Sequence, residues 1–281
     1  MRETSQFGVA RVFVRLIQAI LIVLVLGAPS LAEPTLRDIN KMNGFDESVE
    51  GIKSTFASSL DRFPGSLPEE LAEAWEIASD GAFDPQRMIS AMEENAGSKI
   101  DQEQLSTLHA FFDTPLGRKI SALEIAATKQ PSPEEKQAEG QAILAILPER
   151  DPERLALYRR MVDGLGAIDI GESIAMNVVY ALIAAVVGAS GTTMSDEDLR
   201  STVLKSMGPV RETVGKSVYS GMAWTYRDVP IGELRRYAEF LETPAAARYY
   251  DVMMSAFGAV LTAEARTFGN RLFVSLGLRK A

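Results

Sequence analysis

Apolar residues recur along this chain at three- and four-residue spacing, the period of an amphipathic helix, while alternation over strand length is hard to find. Phe45 to Leu60 follows Asn43-Gly44 and sets Val49, Ile52, Phe56 and Leu60 on one face. Ser66 and Glu69, with Pro68 between them, form a capping box that opens a helix through Trp75 and Ile77, stopped at Asp80-Gly81. Asp84-Pro85 starts the next, with Met88, Ile89 and Met92 inward and Gly97 as terminator. Asp101 and Gln104 make a further cap-like pair for a helix from Gln102 to Phe112, whose stripe is Leu105, Leu108, Phe111 and Phe112.

Thr114-Pro115 then reads as an N-cap followed by the first helical residue. The threonine hydroxyl accepts an orphan backbone N–H, and proline has no donor to leave unpaired. Proline also disfavours helical geometry at Thr114 and crowds the carbonyl of Phe111, so two helices meeting at a bend are expected; a continuous, kinked helix is the rival. A weaker copy lies at 232–258. Aligned on Thr-Pro, it pairs Leu105 with Leu234, Leu108 with Tyr237, Phe111 with Phe240, Phe112 with Leu241, Thr114 with Thr243, Pro115 with Pro244 and Lys119 with Arg248.

Between the copies, Lys129 to Lys136 is a polar connector containing the capping box Ser132 to Glu135, which opens a helix through Leu147. Pro148 to Pro152 reads as a second break, with Asp151 capping a helix past Leu155 and Met161. Ile174 to Ala189 is long for a strand and slightly short for a membrane span; a helix buried on most sides is expected, with membrane or partner contact as the alternative. Ser195 caps a helix ending at Gly208-Pro209, and Val210 to Trp224 is again amphipathic. Pro230 opens the second copy, and Pro244 leads a last helix with Tyr249, Val252, Met253, Ala256, Val260 and Leu261 on one side and Gly277 as its stop. The expected fold is all-α: two related multi-helix halves, 33–147 and 148–281, each containing a helix–Thr-Pro–helix hairpin.

The first 32 residues change the picture of where this fold resides. Arg2, Arg11 and Arg15 precede an apolar run from Leu16 to Leu26, and Ser30-Leu31-Ala32 is a small-x-small cleavage site before Glu33. The run is too short to cross a bilayer comfortably, so 1–32 reads as a cleaved signal peptide, with an uncleaved anchor as the rival. Without cysteine, a lipoprotein anchor, disulfides, thiolate metal sites and cysteine nucleophiles are all excluded. Loss of the segment's three arginines and one glutamate takes the formal charge from −9 to −11. Nucleic acid and acidic membrane surfaces are repelled by such a chain, so neither is expected as a partner. A soluble periplasmic protein of a Gram-negative bacterium, not spanning the membrane once mature, is the expectation.

The run Phe111-Phe112-Asp113-Thr114-Pro115-Leu116-Gly117-Arg118-Lys119 resembles the motif F-[FY]-x-T-P-x-G-x-K of the domain of unknown function 2059. That family comprises exported, mostly helical bacterial proteins without an assigned activity. The resemblance implies a fold and a compartment and supplies no catalytic residue. The second copy departs from it, with Ala246 and Ala247 where Gly117 and Arg118 stand.

Candidate chemistry is thin. His109 is the only imidazole, lies at the edge of the apolar stripe, and is matched by Ala238 in the copy. Arg118 and Lys119 begin a helix, where the macrodipole disfavours cations. Together with Arg248 they are candidates for contact with an anion or a partner, against the plainer reading of an internal ion pair. Acidic pairs such as Glu93/Glu94 and Glu134/Glu135, and the run Asp196 to Asp198, fit capping better than a two-carboxylate hydrolase. Trp75, Trp224, Tyr219, Tyr226, Tyr249 and Tyr250 could line a groove for a sugar or apolar ligand, although aromatic residues at helical spacing more often form core. No metal, cofactor or catalytic residue is indicated. The expected function is a non-enzymatic binding or scaffold module for an envelope protein, peptide or apolar ligand; the alternatives are a carboxylate-dependent hydrolase of envelope material and a membrane-docking helical protein.

Overall fold

In the computed structural model, residues 33–57, 69–129, 132–189, 194–207 and 210–276 are described. The expected signal peptide at 1–32, the Ser66 cap and the Gly277 stop lie outside them. Every regular element among the described residues is a helix. The first, α1 (Leu36–Met42), precedes anything read from apolar spacing, but it has the same local signature: Thr35 and Asp38 form a full capping box. Then follow α2 (Phe45–Ala57), α3 (Glu69–Asp80), α4 (Pro85–Ala96), α5 (Gln102–Phe112) and α6 (Pro115–Thr128). Asp84 and Asp101 cap α4 and α5 as expected, and Gly97 ends α4 at φ 50°.

The later helices are α7 (Pro133–Arg150), α8 (Pro152–Gly164), α9 (Ala167–Ala189), α10 (Asp196–Met207), α11 (Val210–Thr225), α12 (Ile231–Leu241) and α13 (Pro244–Ser275). Two expectations are corrected. Pro148 does not break α7, which continues to Arg150; a proline in the last turn forfeits one hydrogen bond there, and the chain turns at Asp151 instead. Asp151 both ends α7 and caps α8 by accepting from the Arg154 N–H. The other correction concerns α9, which is not buried on most sides. Ala181 is its one fully buried residue among those described, and Asp169, Ser173 and Asn177 form an exposed polar stripe. Residues 167–184 are nonetheless long and apolar enough to cross a membrane by length and composition.

The 32-residue α13 is the spine. It packs most extensively along α9 and also meets α3, α4 and α5. Tyr249, Val252, Met253, Ala256, Val260 and Phe268 are its buried face. Helices α7 and α11 form the other close pair: a Cβ on Gly140 would fall 2.1 Å from the Ser220 carbonyl oxygen, so only glycine permits this crossing. One buried apolar cluster joins Ile39, Met88, Leu108, Phe112 and Ile120 with Tyr158, Leu234, Tyr249 and Phe268, so residues before and after 148 contribute to one core.

Candidate functional site

The two Thr-Pro junctions have the same local hydrogen bonding. Thr114 Oγ1 accepts from the Gly117 N–H at 3.0 Å and donates to the Phe111 carbonyl at 2.7 Å. Thr243 Oγ1 accepts from the Ala246 N–H at 3.3 Å and donates to the Phe240 carbonyl at 2.7 Å. In each the helix ends before the threonine and a new one starts at the proline, as a cap and N1 proline require. Gly117 is needed sterically: a Cβ there would lie 2.2 Å from the Phe111 carbonyl oxygen, closer than any real side chain stands.

Each candidate cation has a partner within the protein. Lys119 donates to Glu233 at 2.6 Å, across to the first turn of α12, where the helix dipole favours a carboxylate. Arg118 pairs with Asp113 at 2.7 Å. Arg248 donates to the Lys99 carbonyl and to Asp251, both at 3.1 Å. The aromatic residues before the junctions meet directly, Phe111 lying flat on Phe240 and parallel to Tyr237. His109 is half-buried on α5.

This aromatic stack leads to the feature that sequence reading missed. Glu124, on α6 one helix beyond the first junction, accepts hydrogen bonds on one oxygen from both Tyr226 (2.5 Å) and Tyr237 (2.8 Å). Among the described residues nothing bonds its second oxygen. Glu124 is partly buried and lines a cavity of about 450 Å³. The cavity wall is largely apolar, with Phe45, Val49, Ile52, Leu165, Met222, Met254 and Phe257 beside Tyr226, Tyr237 and Tyr250. Burial pushes the Glu124 carboxyl above its ordinary range, and the two phenol donors only partly offset that. Burial, followed by the proximity of Glu124, pushes Tyr226 and Tyr237 well above theirs, so both phenols stay protonated and act as donors. Tyr250 is raised by the same causes in the same order.

Neighbouring residues hold this group in place. Arg154 donates to the Tyr226 carbonyl at 2.8 Å and the Val229 carbonyl at 2.9 Å, fixing the turn from which Tyr226 projects, while Asp151 anchors its Nε. Asn43, at the cavity edge, donates to Tyr249, whose hydroxyl in turn donates to Asn40.

Of the aromatic residues picked from sequence, Tyr226 and Tyr250 line the cavity. Trp75 instead packs edge-on to Phe268, and Trp224 donates to Glu139. The acidic pairs do not converge: Glu93 holds Arg37, and Asp198 binds its capping serine. A groove between α9 and α13 does contain two carboxylates, Asp169 and Asp251, and each is engaged by an arginine, Arg211 and Arg248. By the register that aligns the two Thr-Pro pairs, Glu124 falls opposite Met253 and Tyr250 opposite Ser121, so neither residue has a like counterpart at the other junction. Comparison of the chain with protein-family models, curated proteins and solved structures finds no match in any of the three.

Proposed function

We propose that this is an exported, non-enzymatic helical binding protein that holds a small apolar molecule in the cavity beside Glu124. The observation that carries the reading is the cavity: its 450 Å³ falls in the range of ligand sites, and its apolar wall has a few convergent polar groups. Methionines 161, 222 and 254 suit it to irregular apolar shapes, since a thioether side chain repacks easily. Among the described residues the wall contains one carboxyl, Glu124, whereas two-carboxylate hydrolysis needs a pair flanking the substrate. The expected signal at 1–32 and the resemblance to the domain of unknown function 2059 support export to the periplasm; N-terminal sequencing of the protein from a periplasmic fraction should begin at Glu33.

The cavity reading is tested with the neutral fluorophore N-phenyl-1-naphthylamine. Wild-type protein should raise its emission saturably, and Val218→Trp or Leu165→Trp, each filling the cavity, should abolish the effect while circular dichroism stays native. Undiminished fluorophore binding by both filled variants would refute cavity binding.

A second reading, docking on a membrane through α9, is favoured by the apolar length of 167–184 combined with its slight burial. Carbonate-resistant association of the mature protein with membranes would support it, and complete recovery in the soluble fraction would reject it.

A further inference from the structure

We infer that the cavity selects organic ammonium ions: molecules with an apolar body and a protonated or quaternary amine, the nitrogen lying against Glu124 and its tyrosines. This inference rests on the cavity-binding reading and names the chemistry of the occupant.

The argument begins with charge. A carboxylate taken out of water needs a compensating partner, because an isolated buried charge is strongly disfavoured. Glu124 has two phenol donors on one oxygen, and neither carries positive charge. Among the described residues, no lysine, arginine or histidine lines the cavity. Among the described residues the second carboxylate oxygen therefore has neither a donor nor a countercharge, and a ligand entering from the cavity can supply both.

Shape and surroundings point to the same ligand. Phe45 and Phe257 pack edge to face across the cavity wall, 6.5 Å between centroids, and Tyr226, Tyr237 and Tyr250 stand beside the carboxyl. Aromatic faces next to a carboxylate attract an ammonium through the ring quadrupole, more strongly when the contact is desolvated. An anionic head group meets the opposite situation, with a partly buried carboxyl in the wall and, among the described residues, no lining cation to receive it. The protein's formal charge of −9 adds a long-range preference of the same sign. A neutral alcohol could satisfy the free oxygen as a donor but would leave the charge uncompensated.

The test is calorimetric titration of four ligands that share one tail and differ in head group: octylamine, octyltrimethylammonium, 1-octanol and octanoate, all at neutral pH and below micelle formation. The expected order places both ammonium ligands at least tenfold tighter than octanol, and octanol tighter than octanoate. In Glu124→Gln the ammonium ligands should lose at least tenfold in affinity while octanol changes less than twofold. Tyr237→Phe, which leaves the carboxyl in place, should keep the ammonium preference; it provides a folded comparison should Glu124→Gln not fold. Equal affinity for octanol and the ammonium ligands in the wild type, or octanoate binding best, overturns ammonium selection and leaves cavity binding standing. Failure of all four to bind, together with no response from the neutral fluorophore, overturns both.

Discussion

Phe111 and Phe240, each three residues before a Thr-Pro junction, stack face to face with ring centroids 3.5 Å apart and planes 5° apart. Tyr237 lies nearly parallel to both rings, and its hydroxyl reaches Glu124. The residues that make the junctions recognisable thus orient one of the polar groups of the cavity. Truncating either ring should cost about 3–5 kcal/mol where burial is complete, with half-buried Phe111 toward the lower end. A double-mutant cycle of Phe111→Ala and Phe240→Ala should return a coupling of about 0.5–1.5 kcal/mol beyond area burial. Strict additivity in urea unfolding would mean that the stack contributes no more than its separate contacts.

Exchanging glycine and alanine should destabilise both junctions, for different reasons. Gly117→Ala forces a Cβ into the Phe111 carbonyl, and backbone cannot yield as a side-chain tip can; a loss of about 1–3 kcal/mol is expected. Ala246→Gly adds backbone freedom in a helix and removes a fully buried methyl, and should cost about 1–2 kcal/mol. Thermal unfolding of the two variants compares them, and a neutral Gly117→Ala would contradict the close approach.

Glu124 should give the protein a particular pH response. Its carboxyl is raised in the folded state by burial from an ordinary value of 4.5, so the folded protein holds the proton more tightly than the unfolded chain. The resulting stabilisation is complete below the ordinary value and is lost as pH rises through the folded value. Glu124→Gln removes that loss, so its stability relative to wild type should improve as pH is raised above 4.5 and level off once Glu124 is ionised in the folded protein. Asp46, also raised chiefly by burial, acts in the same sense in both proteins and cancels in the difference. Denaturant midpoints measured from pH 4 upward test this, and parallel profiles would show that Glu124 does not change affinity for its proton on folding.

Glu264 ties the spine to the turn between α3 and α4. Its carboxylate accepts from the Phe83 N–H at 2.7 Å and from two nitrogens of Arg87 at 3.0 and 2.7 Å. Phe83 has a φ of 55°, unusual for a bulky residue, and this hydrogen bond holds it there. Glu264→Ala should cost about 1–3 kcal/mol by removing the acceptor that Glu264 offers to the buried Phe83 N–H. Arg87→Ala should cost less, because its guanidinium is half exposed. Equal losses in chemical denaturation would assign the effect to the ion pair rather than to the turn.

Much of the fold could be read along the chain because helix ends are local chemistry. Asp84-Pro85, Asp101 with Gln104, and both Thr-Pro pairs satisfy their own orphan N–H groups, so each start is written within about four residues. Pro148 was misleading for a related reason: the same residue stops a helix or sits in its last turn according to where the following cap, Asp151, lies. The apolar run of α9 specified a helix but not its burial, which depends on how many neighbours α13 leaves room for. Lys119 and Arg248 were visible as cations in unfavourable positions, yet Glu233 and the Lys99 carbonyl lie more than a hundred residues from them, and only Arg248 has a local partner as well, Asp251. Glu124 gave no signal at all. Glutamate is an ordinary helix residue, and what distinguishes it is an encounter with Tyr226 and Tyr237, again more than a hundred residues along the chain. Spacing and caps operate over a single helical turn, whereas desolvation and convergence at a cavity arise from packing between helices distant in sequence.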